Sequence, residues 1–192
     1  GRPDDIVTYQ PTTMDANASN GDTLVLVDDP RMFSVGEDIG VELNGGGGNH
    51  WTTVSSVVQT ELTAFLSNGG TTLTVADATG FISGDEIGIE DNDGVVRWRT
   101  ISGIAGNTIT ISAAFNSGGE DANETQKVWG RKIGLTAALT GASNNGRNVY
   151  ARGTRLEKIK DTIEILVASG STPISESTYE AYRYFAGLGV VY

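Results

Sequence analysis

Residues 72–91 read "TLTVADATGFISGDEIGIED", and residues 24–43 read "LVLVDDPRMFSVGEDIGVEL". Each stretch opens on an alternating apolar run, passes an Asp, a Phe and a Gly followed by an acid, and ends on a second apolar run. Alternation of this kind puts every other side chain on one face of a strand. Aligned at an offset of 48, Asn20, Gly21, Thr23, Val27, Asp29, Phe33, Gly36, Ile39, Gly40 and Glu42 fall on Asn68, Gly69, Thr71, Val75, Asp77, Phe81, Gly84, Ile87, Gly88 and Glu90. After one gap the offset is 47, and Trp51, Thr53, Ser55, Leu62 and Thr63 fall on Trp98, Thr100, Ser102, Ile109 and Thr110. Agreement at matched positions over so long a stretch marks an internal duplication.

Each unit follows one physical script. Val25 and Val27, or Leu73 and Val75, face a core. Asp29 or Asp77 suits an Asx-type turn. Phe33 or Phe81 plugs the end of a small barrel or sandwich. Gly36 or Gly84 supplies a tight turn that needs positive φ. In the next strand, Gly40 or Gly88 allows a bulge or close packing. The loops "NGGGGNH" and "DNDGVV" then lead to "WTTVSSV" and "WRTISGI", and Gly106-Asn107 turns into "TITIS". The expected fold is mainly β, with two tandem antiparallel units of roughly 48 residues forming a small barrel or sandwich. Residues 1–19 form an N-terminal arm, 20–66 the first repeat and 67–115 the second. Residues 116–150 make a loop and a basic strand segment around "KVWGRKIGL". In 151–192, Leu156, Ile159, Ile163 and Leu166 recur at helical spacing. Gly170 suits a helix C-terminus, and Ser177 with Glu180 forms a capping box, so this last part reads as a helical hairpin.

The 192 residues include 26 Gly, four Pro and no Cys, which suits a turn-rich β protein and excludes disulfides and thiolate sites. The opening "GRPDDIVTYQ" has neither the basic nor the apolar region of a signal peptide, and no window is apolar enough to span a membrane. Net charge is -11, unevenly distributed. From residue 127 to 160, Lys127, Arg131, Lys132, Arg147, Arg152, Arg155, Lys158 and Lys160 face only Glu157, while the remainder carries five bases against 23 acids. These eight side chains are the candidate contacts for an anionic partner, either packaged DNA or an acidic neighbouring surface.

Few residues offer catalysis. The single histidine, His50, sits in a glycine-rich loop with no acidic partner legible in sequence. The run "DNDG" at 91–94 lacks the glycine and glutamate spacing of an EF-hand and reads as a hairpin. The "GGGG" at 45–48 has no Gly-Lys-Ser/Thr to cradle phosphate. Glu42 and Glu90 hold equivalent places in the two repeats and so do not make an acid–base dyad, which needs two different environments. Asn17 and Asn123 head glycosylation sequons that carry little meaning without a secretion signal. No metal, cofactor or catalytic residue is expected, and the chain does not read as an enzyme.

The segment Thr72, Leu73, Thr74, Val75, Gly80, Phe81, Gly84, Asp85, followed by Ile104, Gly106, Thr108, Ile109 and Thr110, resembles a β module common in tailed-bacteriophage virion proteins. The first repeat departs from it, with Pro30-Arg31-Met32 before Phe33 and Glu37 in place of the Asp. The resemblance covers about residues 20–115 and implies a non-enzymatic structural role in a virion: capsid or decoration layer, head–tail neck, or tail. It also implies symmetric homo-oligomers, contact with other virion proteins, and assembly in the host cytoplasm. The alternative is a fibre or adhesin module in which Trp51 and Trp98 stack on glycans.

Overall fold

The computed structural model describes residues 6–116 and 119–154. Among the described residues ten strands form in chain order: β1 (Ile6–Thr13), β2 (Leu24–Leu26), β3 (Asp38–Glu42), β4 (Asn49–Glu61), β5 (Thr72–Thr74), β6 (Glu86–Glu90), β7 (Val96–Ala105), β8 (Thr108–Ile111), β9 (Lys127–Leu135) and β10 (Asn148–Thr154). They belong to one antiparallel sheet ordered β1-β10-β3-β4-β9-β6-β7-β8-β5, with β2 added against β9. This path is open, so the ladders do not divide into two closed barrels. The helical hairpin expected in 151–192 lies outside the described residues from 155 onward. Its expected start is moved, because residues 151–154 are strand. The expected N-terminal arm is likewise corrected, because β1 pairs with β10 from Ile6↔Thr154 to Thr13↔Asn148.

The two phrases adopt matching local structure. The β3–β4 hairpin pairs Gly40 with Trp51 and Ile39 with Thr52, and the β6–β7 hairpin pairs Gly88 with Trp98 and Ile87 with Arg99. Asp29 and Asp77 each turn the chain by accepting the N–H two residues on, from Arg31 at 3.0 Å and Thr79 at 2.8 Å. Each also donates its own N–H to a threonine hydroxyl of the entering strand, Thr12 at 2.8 Å and Thr60 at 3.1 Å. Gly36 and Gly84, at φ of +90° and +97°, donate to the equivalent carbonyls of Val54 and Ile101 at 2.8 Å.

The units are interleaved rather than tandem. In the second unit β8 closes on β5 and β7, with Ile109 opposite both Leu73 and Ile104. In the first unit those places fall to the C-terminal half of β9, where Ile133 lies opposite both Val25 and Val57. The N-terminal half of β9 then flanks β6, with Trp129 opposite Gly88, just as β10 flanks β3, with Tyr150 opposite Gly40. Long strands β4 and β9 therefore each serve both units, one half apiece. This corrects the alignment of Leu62 with Ile109. Leu62 ends the entering strand and bridges Val75, as Met14 bridges Val27, whereas Ile109 is the counterpart of Ile133.

A second repeat, of 21 residues, follows from the same pairings. "ANETQKVWGR" (122–131) matches "SNNGRNVYAR" (143–152). Ala122 bridges Leu66 and Ser143 bridges Ala18, and all four are buried. Thr125 (φ 74°) stands where Gly146 (φ 80°) stands, a left-handed position that glycine occupies without strain.

Each unit encloses its own apolar core. Module 1 packs Met14, Val25, Phe33, Ile39, Val41, Val54, Ile133, Leu139 and Val149. Module 2 packs Leu62, Leu73, Phe81, Ile87, Ile89, Ile101, Ile109, Phe115 and Val128. Phe33 and Phe81 are both buried, 4% and 7% exposed, at matching places. Full burial of such side chains contributes about 1.5–3 kcal/mol each, which gives each module a core where a free unit of this size would be marginal.

Candidate functional site

The charged residues converge where β9 passes from one module to the other. Successive positions on that strand, Arg131 and Lys132, each have a side chain only 14% exposed. Arg131 Nη1 donates to the Asp28 carbonyl at 2.8 Å and to its carboxylate at 3.2 Å, and lies 3.5 Å from Asp15. Its Nε is 2.6 Å from Glu86 Oε2, an ion-pair distance, although the N–H is not directed at that oxygen. Its guanidinium lies 4.3 Å from the Trp98 ring centroid. Lys132 donates to Asp85. Asp15 and Asp28 come from module 1, and Asp85, Glu86 and Trp98 from module 2, so β9 fastens the two together electrostatically. Burial pushes the Asp15 carboxyl above its ordinary value; Arg131 opposes this, while Asp28 and Glu86 add to it. A cleft of about 20 Å³, lined by Leu26, Val58, Phe81, Asp85, Arg131 and Lys132, has room for one water.

The other predicted contacts are also engaged. Arg147 donates to Glu42 at 2.7 Å, and Lys127 pairs with Glu61 at 3.3 Å. The Lys127 pair is more than 40% exposed on both sides and contributes little. Arg152 lies 3.6 Å from the Trp51 centroid and donates to Thr8 at 3.3 Å. Each of the five described basic residues thus has a partner inside the chain. Arg155, Lys158 and Lys160 lie outside the described residues.

Trp51 and Trp98 occupy matching niches. A Cβ added to Gly40 or Gly88 would fall 2.8–2.9 Å from the indole, so glycine is what lets each ring lie flat on its strand. Arg152 and Arg131 then stack over the two rings. Each indole thus packs between a glycine of its own hairpin and a guanidinium, while remaining half-exposed. Glu42 and Glu90 repeat as well. Each accepts a backbone N–H from the strand next door, Asn148 and Lys127, both at 3.2 Å. That bond and the Arg147 contact hold the Glu42 carboxyl below the ordinary range.

Residues with chemical potential are committed to structure. Fully buried Asp91 accepts N–H bonds from Asp93 (3.1 Å) and Val95 (2.9 Å) and pairs with Arg97 at 3.0 Å, which fixes the β6–β7 hairpin. His50 Nδ1 lies 3.2 Å from the Thr140 hydroxyl, and Nε2 has no partner. Among the described residues no group of three or more His, Asp or Glu is placed to hold a metal ion. The acidic half of the seam, Asp15, Asp28, Asp85 and Glu86, went unread in the sequence, though the "VWGR"/"VYAR" pair marks which arginines belong to the repeat. No protein-family model matches the chain, and a comparison with curated proteins finds no match either.

Proposed function

We propose that the chain is a non-enzymatic structural component of a bacteriophage virion, in the capsid or decoration layer, the head–tail neck or the tail, acting through symmetric assembly with copies of itself and other virion proteins. One observation carries the reading: the features that recur in both modules all serve to build and join them. The Asx turns, the Trp-on-Gly niches, the stacked arginines and the strand-capping glutamates hold backbone and ring positions, and β9 fastens one module to the other. The resemblance of residues 72–110 to virion β modules supports the same reading. Electron microscopy of the particle or oligomer that contains the chain tests it. The expected result is a symmetric assembly with ordered copies; a lone monomer that turns over a substrate overturns it. Contact with packaged DNA is tested separately by binding at low salt. The expectation is an affinity that falls steeply with added salt, and absence of binding at every salt concentration removes that part.

A further inference from the structure

We propose that Asn44, in the glycine-rich β3–β4 loop, is the chain's preferred site of spontaneous deamidation. The Gly45 amide nitrogen attacks the Asn44 side-chain carbonyl, the C–N bond to the side-chain amide breaks, and ammonia leaves. Water then opens the resulting succinimide to aspartate or isoaspartate. The sequence holds four Asn-Gly pairs, at 20–21, 44–45, 68–69 and 145–146, and this is the one whose glycine N–H the fold leaves untied. The chemistry does not depend on what the chain assembles with.

Asparagine is among the thermally labile residues, and a following glycine, with no Cβ, leaves its own nitrogen open to attack. Two freedoms are still needed. The glycine N–H must be able to lose its proton to solvent base, and the asparagine side chain must turn onto that nitrogen. Three pairs fail the first requirement. Gly21 donates its N–H to the Leu139 carbonyl at 2.8 Å, Gly69 to the Phe115 carbonyl at 2.7 Å, and Gly146 to the Met14 carbonyl at 2.8 Å. The accepting residues are 1%, 0% and 0% exposed, so these bonds break only when the edge of a core opens. Two of the three pairs also hold the asparagine. Asn68 Nδ2 donates to the Gly119 carbonyl, and Asn145 Nδ2 donates to the Asp15 carbonyl at 2.8 Å. In module 2 the corresponding hairpin carries Asp93-Gly94, a pair open to the same ring closure, and there Gly94 donates to the Asp91 carbonyl at 2.9 Å.

Asn44-Gly45 is built differently. In the short turn over Asn44–Gly46, the Asn44 N–H donates to the Ala142 carbonyl at 2.9 Å and the Asn44 carbonyl accepts from Gly47 at 3.3 Å. Among the described residues the exposed Gly45 N–H has no acceptor. What restrains the site is the side chain. Asn44 Nδ2 donates to Asn144 Oδ1 at 2.8 Å, and the Asn144 N–H donates to Asn44 Oδ1 at 3.1 Å. This pair is exposed, and hydrogen bonds of this kind contribute little net, so it is a weaker brake than a backbone bond anchored in a core. Exposure alone ranks the sites the other way, because Asn20, Asn68 and Asn145 are exposed and Asn44 is half-buried. The two criteria therefore give opposite orders. The product places a carboxylate oxygen against Asn144 Oδ1, which removes a tie between the β3–β4 and β9–β10 loops and adds one negative charge. Isoaspartate also lengthens the main chain by a methylene.

Peptide mapping by mass spectrometry tests the proposal on the full chain, incubated folded in mildly alkaline buffer and, as a control, in denaturant. In denaturant the four pairs are expected to convert at comparable rates. In the folded chain Asn44 is expected to convert at least about tenfold faster than Asn20, Asn68 and Asn145, the factor that about 1.4 kcal/mol of local opening imposes. Isoaspartate accompanying aspartate at position 44 marks the succinimide route. Asn144→Ala releases the Asn44 side chain and should speed its conversion about two- to tenfold. Asn144 is exposed, so circular dichroism is expected to match the wild type. Conversion of Asn20, Asn68 or Asn145 in the folded chain as fast as that of Asn44 overturns the proposal. So does an Asn44 that stays intact when folded yet converts in denaturant, since the fold then blocks its ring closure. An unchanged rate at Asn44 in Asn144→Ala overturns the role given to the side-chain pair.

Discussion

Modules 1 and 2 enclose matching cores by different routes. Module 2 takes its closing strand from the next hairpin, so that Leu73 meets Ile109. Module 1 waits for a strand from beyond the whole of module 2, so that Val25 meets Ile133 and Gly40 meets Tyr150. The side chains at these places are nearly interchangeable and the chain distances are not. A core of this type is specified by which residues face inward, and the topology by where the closing strand is supplied. Loop closure over longer separations is slower, so module 2 is expected to form first and to present β4 and β9 for module 1 to complete.

Substitutions at matched positions can break or sharpen this comparison. The largest effect is expected at the plugs. Phe33→Ala and Phe81→Ala should each cost about 3–5 kcal/mol in chemical denaturation, and a large inequality would argue against equivalent cores. Next is Asp91, whose module 1 counterpart is the apolar Leu43. Asp91→Leu leaves the Asp93 and Val95 N–H groups and Arg97 without their acceptor and should cost about 1–3 kcal/mol, while a neutral outcome would mean the hairpin does not depend on that carboxylate. Gly40→Ala and Gly88→Ala should each lift an indole off its strand, at about 1–3 kcal/mol, with altered tryptophan fluorescence.

The smallest effect is a pH dependence with opposing signs. Glu42 and Asp77 have carboxyls held below their ordinary values, Glu42 chiefly by the Asn148 N–H and Asp77 chiefly by Thr79. Their contributions are present above the unfolded values, near 4.5 and 3.8, and are lost as pH falls through the lower folded values. Asp15 is raised by burial, so its ionisation opposes folding at neutral pH and its protonation on acidification favours the folded state. Glu42→Gln should therefore flatten the loss of stability below about pH 4.5. Asp15→Asn should steepen it by removing the opposing group. Melting temperature against pH reads both.

Much of the strand content was legible in sequence because its signals are local. Alternation at Val25 and Val27, the Asx aspartates, Gly36, Gly84 and "DNDG" each act within a few residues. What escaped is what depends on distant partners. β1 reads as an arm because Ile6–Thr13 contains Pro11 and has no turn signal linking it to β10. The closing strand of module 1 was placed at Leu62 because the offset runs on past the point where the chain leaves for module 2. The seam was half legible. Arg131 and Lys132 stand out as charge, but Asp15, Asp28 and the pair Asp85-Glu86 come from three separate segments that only the sheet order brings together.

The sharing of β9 is the central claim, and native-state hydrogen exchange in Ile133→Ala tests it most directly. Ile133 packs only in the module 1 core. If β9 makes the two modules one cooperative unit, the core amides of β3 and of β6 lose protection together, by about 2–5 kcal/mol. Loss confined to β3, with Ile87 and Ile89 protected as in the wild type, would contradict it.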